Sequence, residues 1–180
     1  ARNEAERIEA CLESLRASDY PDLELILVND RSEDDTGEIM NRLASVDNRI
    51  HVIEVTELPS DWLGKNHALA RGAAVARGEF LLFTDGDVLF TTDVIGIAIR
   101  CAVARKLDHL TLSPTMLAGG YAEMALLAML GMAFTTALQP WLARRFMSRF
   151  GAGIGGFNLV RRRFYEQVGG HEPIAFDVVD

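Results

Sequence analysis

Cysteine is scarce. Cys11 and Cys101 are the only two in 180 residues, and neither has metal-ligand spacing to a partner. A disulfide framework and a Cys/His zinc site are excluded, and a reducing compartment is the default. Both cysteines read as small buried apolar residues. Lysine is nearly missing from residues 1–99, where Lys65 stands alone. The pair Gly64-Lys65 lacks the Gly-x-x-x-x-Gly-Lys-Ser/Thr spacing, so there is no P-loop. Internal repeats and low-complexity tracts are absent, and no signal-peptide pattern opens the chain. It begins Ala1-Arg2-Asn3-Glu4 without Met and stops at Asp180 without a helix-ending signal, so it reads as a piece trimmed at both ends.

What is present is globular in composition: 49% apolar and 24% charged residues, enough in one domain of this length to bury a core. The net charge of -8 is unevenly spread. Residues 1–99 carry 9 Lys/Arg against 20 Asp/Glu, whereas residues 100–180 carry 9 against 6. An acidic first half argues against a nucleic-acid surface and suits a site that collects a divalent metal. The basic second half suits phosphates or an anionic membrane.

Apolar spacing predicts a helix over 4–16, a buried strand over 23–28, a helix over 35–44 and a strand over 50–55. A loop over 58–64, a helix over 66–76 stopped by Gly78, and a strand over 80–84 follow. Further on come a helix over 93–105, a strand over 110–113, a strand near 157–160 and a helix over 162–168 ended by Gly169. Alternation at this spacing predicts an α/β fold with a mostly parallel central sheet and helices on both faces. Ligands of such sheets bind beyond the carboxyl ends of the strands. The polar clusters 29–32 and 85–87 both fall on that edge.

Residues 124–143 are twenty in a row without a charge. By length they suit a transmembrane span, but a span here would separate elements that must pack together. A buried core helix and a helix lying in a membrane interface are the other readings. Trp141, Arg144, Arg145, Phe146 and Arg149 supply the basic and aromatic flank that a membrane surface attracts.

Asp85-Gly86-Asp87 carries most of the chemistry. Two carboxylates two residues apart, with a glycine permitting the backbone to turn between them, can face one hard cation such as Mg2+ or Mn2+. The same three residues also suit a plain acidic turn. Asp30, after its strand, can accept hydrogen bonds from a nucleobase or a ribose, while Ser32 or Asp34 caps the next helix. Lys65 precedes a helix N-terminus, a favourable place for phosphate. Residues 151–156 spell Gly-x-Gly-x-x-Gly, but a strand follows them where a dinucleotide site needs a helix. His171 suits a phosphate, an acceptor or a structural contact, and Asp177 or Asp180 a general base.

Taken in order, several segments resemble the family 2 glycosyltransferases, with their GT-A fold. They are Ala1-Arg2-Asn3-Glu4, Val28-Asn29-Asp30-Arg31-Ser32-Glu33-Asp34-Asp35-Thr36, Gly64-Lys65-Asn66-His67-Ala68-Leu69, Thr84-Asp85-Gly86-Asp87, Gly155-Gly156-Phe157-Asn158 and Gly169-Gly170-His171-Glu172. Trp62-Leu63-Gly64-Lys65 and the apolar stretch look closer to membrane-associated members that act on lipids, the hopanoid-associated type. The resemblance implies one catalytic domain over 1–180, with a nucleotide-sugar half over 1–110 and an acceptor half over 111–180. It implies that Asn3, Glu4 and Asp30 contact a uridine-type nucleoside, that Lys65 and Asp85 lie by ribose and diphosphate, and that Asp85 and Asp87 hold the metal. Gly155, Gly156, His171 and Glu172 would face the acceptor, and Asp180 or its successor would be the base. Arg31 and Asp35 stand where the family most often has glycine. The implied reaction is inverting displacement from a UDP-sugar to a lipid or glycan acceptor, at the cytoplasmic face of a membrane and without nucleic acid. A nucleotidyltransferase and a non-catalytic sugar-nucleotide-binding module are the rival readings. The first would want a Gly-rich basic loop where this chain has Asn3-Glu4.

Overall fold

The computed structural model describes residues 1–116, 119–138 and 156–177. Its elements run α1 (Ile8–Arg16), β1 (Leu25–Asp30), α2 (Thr36–Ala44), β2 (Ile50–Val55), α3 (Gly64–Val75), β3 (Phe80–Phe83), α4 (Val94–Ala104), β4 (His109–Thr111), α5 (Tyr121–Leu138), β5 (Asn158–Arg161) and α6 (Arg162–Gln167). A 3-10 turn, Glu172–Ile174, follows.

The α/β architecture is as expected, and β1 pairs with β2 in parallel, Leu25 opposite Ile50 and Asp30 opposite Val55. The second sheet takes in β5, a strand from beyond the first half of the chain to which the parallel expectation applies. Its order is β3-β5-β4, and β5 runs antiparallel to both neighbours. The reason is connectivity. β5 arrives after the long excursion that contains α5, so no short crossover helix obliges it to run parallel to its neighbours.

Apolar residues at helical spacing explain the main core. Ile8, Cys11, Leu12 and Leu15 form the buried stripe of α1, and Met40 and Leu43 that of α2. They close on Leu25, Leu27 and Ile50 of the parallel pair and on Ile95 of α4. A second cluster joins Ala98 and Ala102 of α4 to Phe157 and Leu159 on β5. Leu82, Phe90, Val94 and Ile99 pack against both clusters.

Several boundaries move, and three of the moves bear on function. β1 continues through Asn29 and Asp30, because both pair with β2 and are buried. α3 begins at Gly64, two residues earlier than the apolar spacing suggests, so Gly64 and Lys65 lie in its first turn. It ends at Val75, where Ala76 turns extended (ψ 147°), before Gly78 is reached.

The C-terminus of α6 follows the expected glycine stop in detail. Gly169 adopts φ 84°, its N–H bonds to the Glu166 carbonyl (3.1 Å), and the Gly170 N–H bonds to that of Tyr165 (2.9 Å). That is a Schellman motif, which satisfies carbonyls the helix would leave open.

Helix α5 is not a buried core helix. Tyr121, Met124, Leu126, Met129, Leu130 and Met132 are all more than half exposed. Among the described residues no helix is long and apolar enough to cross a membrane. Residues 141–149, with their arginines and aromatics, lie outside the described residues, as do Gly155 and Asp180.

Candidate active site

The site is assembled where the first loop of the chain crosses the carboxyl end of β1. The Ala1 nitrogen donates to the Val28 carbonyl (2.7 Å) and the Asp30 N–H donates to that of Ala1 (2.9 Å). Beyond this point the loop is tied by side chains. Asn3 N–H donates to Ser32 Oγ (3.1 Å), Glu33 N–H to Asn3 Oδ1 (2.8 Å), Glu4 N–H to Thr36 Oγ1 (2.8 Å) and Ala5 N–H to Asp34 Oδ2 (3.1 Å). Thr36, fully buried, donates a hydrogen bond from its own hydroxyl to Asp34 Oδ1 (2.5 Å). That bond, ahead of the N–H groups of Ala5 and Thr36, lowers the Asp34 pKa from the ordinary carboxylate value. Neither Ser32 nor Asp34 is the N-cap of α2, which is Asp35 and makes no side-chain capping hydrogen bond. Asp34 accepts from the Thr36 N–H at the start of α2, whereas Ser32 holds the first loop.

Asp30 is buried, 5% exposed, and Arg31 grips both its oxygens: Nε to Oδ1 at 2.8 Å and Nη2 to Oδ2 at 3.1 Å. Arg31 sits at φ 55°, as does Asn3. This is the left-handed region, which costs a residue with a side chain about 1–2 kcal/mol relative to glycine. Arg31 therefore keeps a backbone shape that glycine adopts freely, and the two-pronged hydrogen bond to Asp30 offsets the strain. Asp35, at φ −72°, needs no such freedom.

Gly64 closes on this pair. A Cβ there would lie 2.8 Å from Asp30 Oδ2 and 3.0 Å from Arg31 Nη2, so the first turn of α3 approaches Asp30 only because residue 64 has no side chain. Leu63, which precedes the helix, supplies no side-chain cap. Next in sequence, Lys65 Nζ lies 3.0 Å from Asp85 Oδ1. Asp87 meets a second cation, Arg7 Nη1, at 3.4 Å. Gly86 lies under the first loop, where a Cβ would meet Ile8, Ala1 and Glu4 side chains within 3.7 Å. Below it, the Cys11 thiol donates to the Asp85 carbonyl (3.8 Å), and burial pushes that thiol up to about 11. Cys11 is thus a protonated structural donor, and Cys101 is half-buried and free.

The acceptor-side residues join through β3. Thr84 Oγ1 donates to the Gly156 carbonyl (2.9 Å), and Phe83 packs edge-on against His171 with ring centroids 5.0 Å apart. Tyr165 Oη bonds His171 Nδ1 at 2.7 Å. Glu172 begins the 3-10 turn, its N–H on the Gly169 carbonyl (3.3 Å).

Asn3, Glu4, Asp30, Lys65, Asp85 and Asp87, far apart in sequence, thus converge in one place. Three participants were not singled out from sequence: Arg7, Thr36 and Asn66. Arg7 lies three residues after Glu4, and Thr36 and Asn66 stand inside the quoted segments, so position alone marks them. No group of three or more His, Cys, Asp or Glu among the described residues suits a metal. Two carboxylates fit a cation of the Mg2+ or Mn2+ kind, which takes its remaining ligands from phosphates and water.

Known proteins bear on this arrangement. The family model described as "Glycosyl transferase family 2" matches residues 1–114. Glycosyltransferase GlyG of Streptococcus pneumoniae serotype 4 is 30% identical over 93 residues, 52% of this chain and 30% of that protein. The chain spans less than a third of the length of curated relatives that it matches. Among solved structures, a mannosyltransferase of Pyrobaculum calidifontis in complex with GDP-Man and Mn2+ superposes with a TM-score of 0.72 at 23% identity, over 94% of this chain and 45% of its own. Glucosyl-3-phosphoglycerate synthase of Mycobacterium tuberculosis, in complex with Mn2+, UDP-glucose and phosphoglyceric acid, gives 0.58 at 22% identity over 91% and 54%. At such identities the structural likeness shows the fold, a GT-A arrangement. With the family model covering residues 1–114, the chain belongs to glycosyl transferase family 2.

Proposed function

We propose that this chain is the donor-binding core of a metal-assisted, inverting glycosyltransferase that takes a sugar from a nucleotide-sugar, a UDP-sugar by preference. The observation that carries the reading is the convergence of Asp30, Gly64-Lys65 and Asp85-Gly86-Asp87 at one strand edge. Asp30 offers its carboxylate to the nucleoside, and Asn3 and Glu4 shape the adjoining wall. Lys65 and the first N–H groups of α3 favour the diphosphate. Asp85 and Asp87 would hold Mg2+ or Mn2+, which supplies neutralisation of charge on the departing diphosphate. Arg7 and Lys65 are already drawn to these two carboxylates, a sign of how strongly the site collects positive charge. On the acceptor side Gly156, His171 and Glu172 line the approach. Asp180 takes the proton of the attacking hydroxyl.

The acceptor is a lipid or a glycan presented at a membrane surface, and the protein works peripherally on the cytoplasmic face. Support comes from α5. Its exposed Met124, Leu126, Met129, Leu130 and Met132 form an apolar surface interrupted by one charge, Glu123. The division into a nucleotide-sugar half over 1–110 and an acceptor half over 111–180 belongs to the same reading.

The test is turnover by the full chain. GDP-mannose, UDP-glucose and UDP-N-acetylglucosamine are offered with Mn2+, and released nucleoside diphosphate is followed. Metal-dependent release from one donor supports the reading, and a folded protein that releases none contradicts it. Flotation with anionic vesicles tests the membrane half, since binding must be lost in the Leu126→Glu/Leu130→Glu variant.

A further inference from the structure

Asn66 is 4% exposed, and its side-chain amide faces backbone carbonyls of a segment more than a hundred residues away. Nδ2 lies 2.6 Å from the Ile174 carbonyl and 3.0 Å from that of Asp177, with Ala175 further off at 3.5 Å. An amide nitrogen has two protons, so Ile174 and Asp177 use both of them. The Ala175 carbonyl is taken instead by the Leu63 N–H at 2.8 Å. Carbonyls only accept, which fixes the orientation of the amide: its nitrogen must face the segment. The entry turn of α3 therefore satisfies three carbonyls of the acceptor-side turn.

We infer that Asn66 is a positioning residue that locks the acceptor-side turn, residues 172–177, to the helix whose first turn carries Lys65. The inference rests on the proposed glycosyl transfer. One side of α3's first turn approaches Asp30 through Gly64 and reaches Asp85 through Lys65. The other side holds the segment that follows His171 and leads in sequence to Asp180. The geometry between donor and acceptor is thus set by one side chain that touches neither. Errors of position at this level cost rate more than affinity.

The informative variant is Asn66→Asp, nearly equal in volume but with an oxygen in place of the donor. In the full chain, its backbone amides at Ala175 and Asp177 should exchange with deuterium about tenfold faster or more, while those of Leu27 and Leu159 keep their protection, showing an intact fold. Release of UDP or GDP from the three nucleotide-sugars should fall about tenfold or more, with the Mn2+-dependent Kd for UDP or GDP changed by less than about threefold. Asn66→Ala should act in the same direction. Unchanged exchange at residues 174–177 overturns the inference. So does a loss of nucleotide affinity equal to the loss of turnover. If the unaltered protein releases nucleotide from none of the three donors, the glycosyl-transfer reading fails on that result. The exchange data then still decide whether Asn66 holds the turn.

Discussion

The loop at residues 1–5 and helix α5 are both surface segments, and they are built on opposite principles. The loop is short and polar, and it is fastened by Asn3, Ser32, Asp34 and Thr36, so that nearly each of its N–H groups has a stated partner. Helix α5 is long and apolar, and among the described residues its large side chains are left in solvent. Within it, Glu123 accepts from the Gly119 N–H (2.7 Å) at the start, and Thr136 donates to the Met132 carbonyl further along. The loop belongs to a site that must hold its shape before a ligand arrives. A helix apolar on every side is suited to a surface the chain itself does not supply.

If the contrast is real, substitutions should divide by region. Leu12 of α1 is 1% exposed, and Leu12→Ala should cost about 2–5 kcal/mol in urea unfolding. Thr36→Val keeps the shape but removes the acceptor for Glu4 and the donor to Asp34, for a loss of about 1–3 kcal/mol. Its nucleotide affinity should fall as well, since the wall made by Asn3 and Glu4 loosens. Gly64→Val drives a side chain into the Asp30–Arg31 pair and should weaken nucleotide binding about tenfold or more, ~1.4 kcal/mol, with the melting transition still cooperative. The paired change Leu126→Glu/Leu130→Glu should move stability by no more than ~0.5 kcal/mol per site, because both side chains are already in water. A large loss there would mean that α5 is covered by the chain after all, and the contrast would collapse.

The same contrast explains what could be read from sequence. Helices α1 and α2 have one buried face, so their spacing marks them, and β2 matched its expected bounds because turns flank it on both sides. Apolar spacing ends β1 two residues early because Asn29 and Asp30 are polar. They remain in the strand through backbone pairing and through the Asn29–Glu54 and Asp30–Arg31 contacts. α3 was begun late because Gly64 is a poor helix residue in general, and only its closeness to Asp30 explains its presence. The antiparallel course of β5 was not legible at all, since direction is set by the path between elements and not by the strand's own residues. Helix α5 gave length without a face, and no residue spacing records whether another surface covers it. The candidate site was legible as residue types at strand ends. The cations that answer them, Arg7 on Asp87 and Lys65 on Asp85, come from folding.

The central claim is that Asp85 and Asp87 make a donor site that works through a divalent cation. Calorimetric titration of UDP and GDP, with Mn2+ and then with EDTA, tests it most directly in the unaltered protein and in Asp87→Ala. The account predicts that one nucleotide binds with Mn2+, and that EDTA or Asp87→Ala weakens that binding roughly 100-fold or more, ~2.7 kcal/mol. Equal binding with and without metal, or an Asp87→Ala protein that binds as well as the parent, would contradict it.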